Sequence, residues 1–580
     1  MTAAGLHIAE HRHSALAVRQ AAIPDDAIRY PTRLLDYQYL RLLLSQPRDS
    51  VAICLAVQFR GAFDPGVAQS TWGELIDRHP GLRLCLELPK HAMAIGQGRA
   101  SILENVRPPA MTLEDLRGLT ADAQEMRVRR EFHRLSHVEW QFDQWPLHHF
   151  SLLCVGDDQL HVYFAADHAI ADALGEILVL GEFIEIYTAR LAGRAPRLAP
   201  AISAAEYDDL LARIGRYQPT AEELALVRDE LERQPDQSRK CLWNPNRSKA
   251  SASERHFEVL SRTLDGTATA GLMRKTVELN CSTNSVVLAA FLKAMAAHPH
   301  PRNVALQLAT SGTNYPDLVL DRVFAGFAQC APTDFEVPDA GARIDDVIAS
   351  VHAKVHERLN SGFDRALAKV VAGQMKKVPL AGGVVSDPVR GSSADVQRAN
   401  VHFSFLGQVR FGPAGKDADV TRIRTGGTNP AGSLECQFLI FDGRLMLFLV
   451  FDSAFFDAQL IERFLDRFAA ELESCSLPPA TSATPPPDTP STPAGHTGKV
   501  GRQLLEIAAE TMHLEIAPDQ LALDLEADLG IDSLQRVRLA IHLYSRSLKT
   551  LDRDALLACR TLAQMASVIE EHYPDGFADS

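Results

Sequence analysis

Short apolar runs and helical-period segments alternate through the first 475 residues, as they do in α/β domains. "VAICLAVQF" (51–59) has the length and β-branched content of a strand, and "VAQSTWGELIDRHPGLR" (67–83) predicts a helix ending near Pro80-Gly81. "LHHFSLLCVGDDQLHVYFAA" (147–166) predicts two strands joined at a Gly-Asp-Asp turn, with "HHF" at 148–150 on the strand surface. A helix over 172–191 follows, its expected core stripe being Leu174, Ile177, Leu178, Ile184 and Tyr187. Residues 196–255 are polar and helix-rich and predict a connector.

The second half repeats the rhythm without a residue-level repeat. "TNSVVLAAFLKAMAA" predicts a helix, "NVALQLA" a strand and "IDDVIASVHAKVHERL" a long helix. "SLECQFLIFDGRLMLFLVFD" (433–452) predicts a hairpin across Asp442-Gly443, and "AQLIERFLDRFAAEL" a closing helix. Pro, Thr, Ser and Ala then dominate 476–498, a composition that stays solvated and acts as a semi-rigid tether. The tail beyond it has the size of one small domain and reads as helical. Its middle segment carries Leu534, Val537, Ile541 and Tyr544 at intervals of one helical face. These patterns divide the chain into a leader (1–27), a first lobe (28–195), a connector (196–255), a second lobe (256–475), a linker (476–498) and a tail domain (499–575).

Charge sharpens this division. The chain carries 59 Lys and Arg against 73 Asp and Glu, a formal net charge of -14, which argues against a general nucleic-acid binder. Residues 500–580 hold seven Lys/Arg and fourteen Asp/Glu, so half of the excess sits in the tail. The nine cysteines are scattered and never form a CxxC pair, as expected of reduced thiols in the cytoplasm, and the histidines show no metal-ligand spacing. No run approaches a membrane span and the N-terminus lacks an apolar export core, so the expectation is a cytoplasmic chain without membrane contact.

Two stretches carry candidate chemistry. In "YFAADHAIADA" (163–173), His168 stands between a strand and a helix, with Asp167 before it and Asp172 four residues on. An imidazole near its free pKa can take a proton from an amine or alcohol attacking a thioester, and a strand end followed by a tight turn can aim it into a cavity. In "DLGIDSLQ" (528–535), Ser533 stands at the expected start of a helix, flanked by Asp532 and Leu534. A helix start offers free N–H groups and a dipole that tolerate an incoming phosphate.

"LEADLGIDSLQRVRLAIHL" resembles the acyl carrier proteins of polyketide and fatty-acid synthesis, a likeness covering about 497–574 and including Thr561 at the start of the last helix. It implies a small four-helix bundle with 4′-phosphopantetheine on Ser533 and a phosphopantetheinyl transferase as partner. Residues 28–475 resemble the condensation-domain acyltransferases of nonribosomal peptide synthesis, with the two-lobed α/β (α+β) chloramphenicol acetyltransferase-like fold. That likeness rests on "ELIDRHPGLRLCLEL", "FDQWPLHHFSLL", "YFAADHAIADA", "VFAGFAQCAPTDF" and "VHFSFLGQVRF", in this order. By position it makes His168 the catalytic histidine and Asp172 the structural aspartate. The family's first motif histidine is Asp167 here, and its glycine after the aspartate is Ala173. The arginine that usually pairs with the aspartate is Thr313, within "ATSGTN", which leaves another base such as Arg322, or a different brace, for Asp172. Asp167 close to His168 would favour the charged imidazole.

The pair of resemblances implies acyl transfer from a carrier-bound thioester to an amine or hydroxyl, giving an amide or ester in polyketide- or peptide-type biosynthesis, with substrates loaded by upstream synthase or synthetase modules. Two other readings stay open: a catalytically degenerate docking module that delivers its carrier-bound acyl group, and an acyltransferase that uses acyl-CoA.

Overall fold

The computed structural model describes residues 20–23, 27–35, 38, 51–87, 94–142, 144–232, 256–298, 302–310, 320, 322–375, 380–381, 384–385, 401–411, 420–428, 433–476, 499–512, 516–517, 520–523, 525, 539, 543, 556, 559–571 and 573. In the first half, the elements that place the candidate turn are β1 (Ala52–Arg60), α1 (Pro65–Arg78), β2 (Thr112–Asp115), α2 (Ala121–Ser136), β3 (His148–Gly156), β4 (Gln159–Asp167), α3 (Ala173–Leu191), α4 (Ala204–Gly215) and α5 (Ala221–Glu232). The second half supplies β5 (Phe257–Thr263), α6 (Thr283–Met295), β6 (Asn303–Thr310), β7 (Gln329–Glu336), α7 (Ile344–Asn360), α8 (Phe363–Met375), β8 (Val401–Gln408), β9 (Val420–Gly427), β10 (Leu434–Phe441), β11 (Arg444–Asp452) and α9 (Ala458–Ser476). In the tail, α10 (Lys499–Met512) and α11 (Leu562–Glu570) are described.

Two sheets organise the chain. The first runs β9-β1-β4-β3-β2, and the second β5-β11-β10-β8-β6-β7. Strand β9 lies among second-half elements in sequence yet pairs along β1, so the late chain completes the early sheet. Local sequence explains the element ends. Asp64 caps α1 through the Val67 N–H with Pro65 at the first helical position, and Ser203 with Glu206 forms a capping box on α4. The β10–β11 hairpin turns at Asp442 and Gly443, with φ of 48° and 65°, the left-handed pair of a tight two-residue turn.

Three large apolar cores and one small cluster form among the described residues. The first joins Trp72, Phe150, Phe164, Phe183 and Tyr187, with the Trp72 ring 4.7 Å from that of Phe150. The second centres on Phe291, whose ring meets Phe403, Phe464 and Phe468 edge to face at 5.1–5.6 Å. The tail builds its own core from Leu504, Leu539, Leu543, Leu562, Met565 and Ile569, and Thr561 with Gln564 forms a capping box on α11. Leu534, Val537, Ile541 and Tyr544 lie outside the described residues.

Three local expectations change. The buried stripe of α3 is Gly175, Glu176, Val179, Leu180, Phe183, Ile184 and Tyr187, whereas Leu174, Ile177 and Leu178 are half-buried. The helix packs against both a sheet and α1, and these two neighbours set its core face. The connector is less polar than its composition suggests: Tyr207, Leu210, Leu211 and Ile214 enter the first core, and Val227 packs with Ala331, Phe363 and Ala366 of the second half. "HHF" is not strand surface. His148 is fully buried and donates from Nε2 to the Leu82 carbonyl at 2.8 Å, and half-buried His149 bonds Thr112 at 2.9 Å. Burial pushes these imidazoles down to about 3 and about 4, so both are neutral at physiological pH.

The halves meet closely at Gly81, where a Cβ would stand 2.1 Å from the Phe324 carbonyl oxygen. Gly81→Ala is therefore expected to destabilise the chain by about 1–3 kcal/mol, the usual range for overpacking, measured as a lower urea midpoint. A Gly118→Ala control, where a Cβ meets nothing within 4 Å, should stay near the wild-type midpoint.

Candidate active site

The turn after β4 is assembled almost wholly from backbone hydrogen bonds. The Asp167 N–H donates to the Leu147 carbonyl at 2.9 Å and the His168 N–H to the Val51 carbonyl at 2.8 Å, fastening the strand end between its neighbours. The Asp167 carboxylate accepts from the Ala169 N–H at 2.7 Å, and its carbonyl accepts from the Ile170 N–H at 3.0 Å. Gln38 donates to the Ala169 carbonyl at 3.0 Å. Ala169, Ile170 and Ala171 are buried, and their small or compact side chains let the turn sit tightly in the first core. Asp167, at the place of the family's first histidine, thus closes the turn as an aspartate can and a histidine would do less directly.

His168 is half-buried, and its Nδ1 lies 2.8 Å from the Ala171 carbonyl oxygen. A carbonyl can only accept, so Nδ1 carries a proton, and Nε2 is the nitrogen that holds the lone pair whenever the ring is neutral. The imidazole is therefore oriented by the turn's own backbone, with its basic nitrogen directed away from that contact.

Asp172 performs a different task. It is the N-cap of α3, one carboxylate oxygen accepting from the Gly175 N–H at 2.9 Å. The other oxygen accepts from the Phe327 and Ala328 N–H groups, both at 2.9 Å. These residues directly precede β7, so one buried side chain ties the His168 turn to the second half of the molecule. Burial pushes the Asp172 carboxyl up, and the backbone N–H groups around it pull it back. Among the described residues the contacts of Asp172 are these backbone amides, and Thr313 lies outside the described residues. Three N–H donors thus meet the carboxylate, a brace that needs no second ion. Ala173, in the glycine position, is the first residue of α3 and has no positive φ, so a Cβ is accommodated.

Two features escaped sequence reasoning. The Phe327 and Ala328 amides act through the backbone, which leaves no side-chain signature, although "GFAQ" falls in a segment singled out by resemblance. Glu176, one turn beyond Asp172, is buried and its Oε1 has no hydrogen-bond partner among the described residues. Burial first, then the Asp172 charge, pushes its carboxyl well above the ordinary range, so it is held neutral. Ser533, Asp532 and Leu534 lie outside the described residues.

The Glu176 proton has a consequence for stability. A folded-state pKa above the unfolded one means that stability is full at acid pH and declines as pH rises from about 4.3, the free glutamate value, toward the folded pKa. Glu176→Gln is expected to remove this decline, so its melting temperature should gain on the wild type between pH 5 and pH 8. A constant difference across that range would contradict a buried neutral acid.

Comparison with known proteins agrees with the geometry. Residues 34–319 match the family model of the condensation domain, and residues 502–569 that of the phosphopantetheine attachment site. Surfactin synthase subunit 1 of Bacillus subtilis (strain 168) is 23% identical over 450 residues, 73% of this chain and 12% of that protein. Bacitracin synthase 1 of Bacillus licheniformis is 24% identical over 264 residues, 44% of this chain and 5% of that protein. The chain thus spans a small part of the curated relatives it matches. Among solved structures, the epimerization domain of the third module of tyrocidine synthetase B superposes with a TM-score of 0.58 at 15% identity, covering 79% of this chain and 98% of that one. The first condensation domain of the calcium-dependent antibiotic synthetase, bound to a substrate analogue, gives a TM-score of 0.59 at 17% identity, covering 77% and 98%. Residues 34–319 therefore belong to the condensation-domain family, and residues 502–569 form a carrier domain of the phosphopantetheine-binding family.

Proposed function

We propose that this chain is a condensation-type acyltransferase fused to its own acyl carrier, with His168 as the base and Ser533 as the attachment point of 4′-phosphopantetheine. The observation that carries this reading is the 2.8 Å contact of His168 Nδ1 with the Ala171 carbonyl: the carbonyl accepts, so Nδ1 donates and Nε2 is the ring nitrogen that can take a proton. The phosphopantetheine group supplies the thiol on which an acyl group is carried. As an amine or alcohol attacks the acyl carbonyl, His168 Nε2 takes its proton. A C–N or C–O bond forms, the C–S bond breaks, and the proton passes from the imidazolium to the departing sulfur. Asp172 touches no substrate in this scheme; it is a positioning residue that fixes the turn. The tether between the domains raises the effective concentration of the carrier at the condensation domain. Upstream synthase or synthetase modules would load the acyl group, and a phosphopantetheinyl transferase would prime Ser533.

Single-turnover transfer from an acyl-loaded carrier to a panel of amines and alcohols tests the base. His168→Ala should slow product formation by roughly 10²–10⁴-fold, the usual contribution of a positioned general base. Equal product from both proteins would remove histidine catalysis, and no product from either over the panel would favour a docking module instead. Intact mass after incubation with a phosphopantetheinyl transferase and CoA tests the carrier. The wild type should gain one phosphopantetheine, and Ser533→Ala should gain none.

A further inference from the structure

The first half of the chain holds a cavity of about 1300 Å³ that the transfer chemistry does not use. It lies at the edge of the first sheet, beside the start of β3, between α1, α2 and the segment 107–112 that leads into β2. None of the residues that hold or brace His168 lines it: Gln38, Ala171, Asp172, Phe327 and Ala328 are all elsewhere. Its roof is fixed in advance. Gln69 of α1 accepts from the Met111 N–H at 3.1 Å and donates to the Pro109 carbonyl at 3.3 Å. At Gly73 the fit is close enough that a Cβ would stand 3.4 Å from Pro108. A site built this way loses little freedom when a ligand enters.

The lining has an apolar and a charged part. Trp145, Met111 and the two prolines at 108 and 109 form the apolar walls, and the Trp145 ring is held by its Nε1–H bond to the Leu82 carbonyl at 3.1 Å. On the opposite side Arg127 pairs with Glu114 and Glu131, and Arg134 pairs with Glu131 at 2.6 Å. Three arginines thus face two glutamates, and the two lining histidines are neutral, so the lining keeps one positive charge. Arg107, exposed at the mouth, makes no ion pair among the described residues.

We infer that this cavity is a binding site for a monocarboxylic acid with an apolar body, its carboxylate on Arg107 and its chain against Trp145 and Met111. A single surplus charge suits a monoanion, whereas a phosphate or nucleotide would bring two or more negative charges against it. Small-ligand sites usually span about 300–1000 Å³, so a chain of medium length has room here. The site is separate from the transfer site, and the inference rests neither on catalysis by His168 nor on the carrier.

Isothermal titration of the full chain with octanoate tests it. The wild type should bind with a saturable one-site curve. Arg107→Gln should weaken binding roughly tenfold or more, the usual scale of a hydrogen bond to a charged group. Ala110→Trp, which sets an indole at an exposed lining position, should block the cavity. 1-Octanol, with the same chain and no charge, should bind at least tenfold more weakly than octanoate. His168→Ala should bind octanoate as the wild type does. No saturation of the wild type over the millimolar range would overturn the site. So would unchanged affinity in either cavity variant, with circular dichroism showing both folded, or equal affinity for octanol. Loss of binding in His168→Ala would put the acid in the transfer site and overturn the separate cavity.

Discussion

The Asp172 carboxylate is the contact on which the active region depends. It caps α3, and it accepts two amides from the other half of the molecule. The strand that ends in His168, the helix that follows, and the segment leading into β7 are therefore fixed relative to one another by one side chain. The surroundings reinforce this arrangement. A Cβ on Gly175 would stand 3.3 Å from the Ala325 oxygen, and Gly81 meets Phe324 still more closely. An ion pair would have tied the same elements at the cost of desolvating two charges; amide donors bring only dipoles.

Given that frame, the chemistry of His168 follows from its immediate backbone. The Ala171 carbonyl fixes the tautomer and the ring plane, a task a carboxylate performs in many histidine bases. Asp167 closes the turn through the Ala169 N–H. Asp172 acts one step further away. Asp167 and Ala173, which the resemblance sets apart from the family motif, stand where the turn is closed and where α3 begins.

The fold was largely legible because its signals are local: short apolar runs mark the strands and Asp442-Gly443 marks the hairpin, while Thr561 at the last helix came with the resemblance to carrier proteins. What was not legible depends on partners distant in sequence. The buried face of α3 is chosen by packing against a sheet and a helix, so helical periodicity alone misplaced Leu174, Ile177 and Leu178. His148 reads as polar, yet one carbonyl acceptor at Leu82 suffices to bury it neutral. The resemblance leaves either another base such as Arg322 or a different brace for Asp172; the donors across the halves are amides of Phe327 and Ala328, whose side chains give no hint of the role. Pairing of β9 with β1 joins residues more than 360 positions apart, and no local pattern announces it.

The function we propose requires that His168, donating from Nδ1 to the Ala171 carbonyl, take the proton of the attacking nucleophile at Nε2. The pH dependence of single-turnover acyl transfer between pH 5 and pH 8 tests it most directly. The rate should rise with pH through one ionisation, and that limb should be missing from the residual rate of His168→Ala. The same limb in both proteins would contradict the claim.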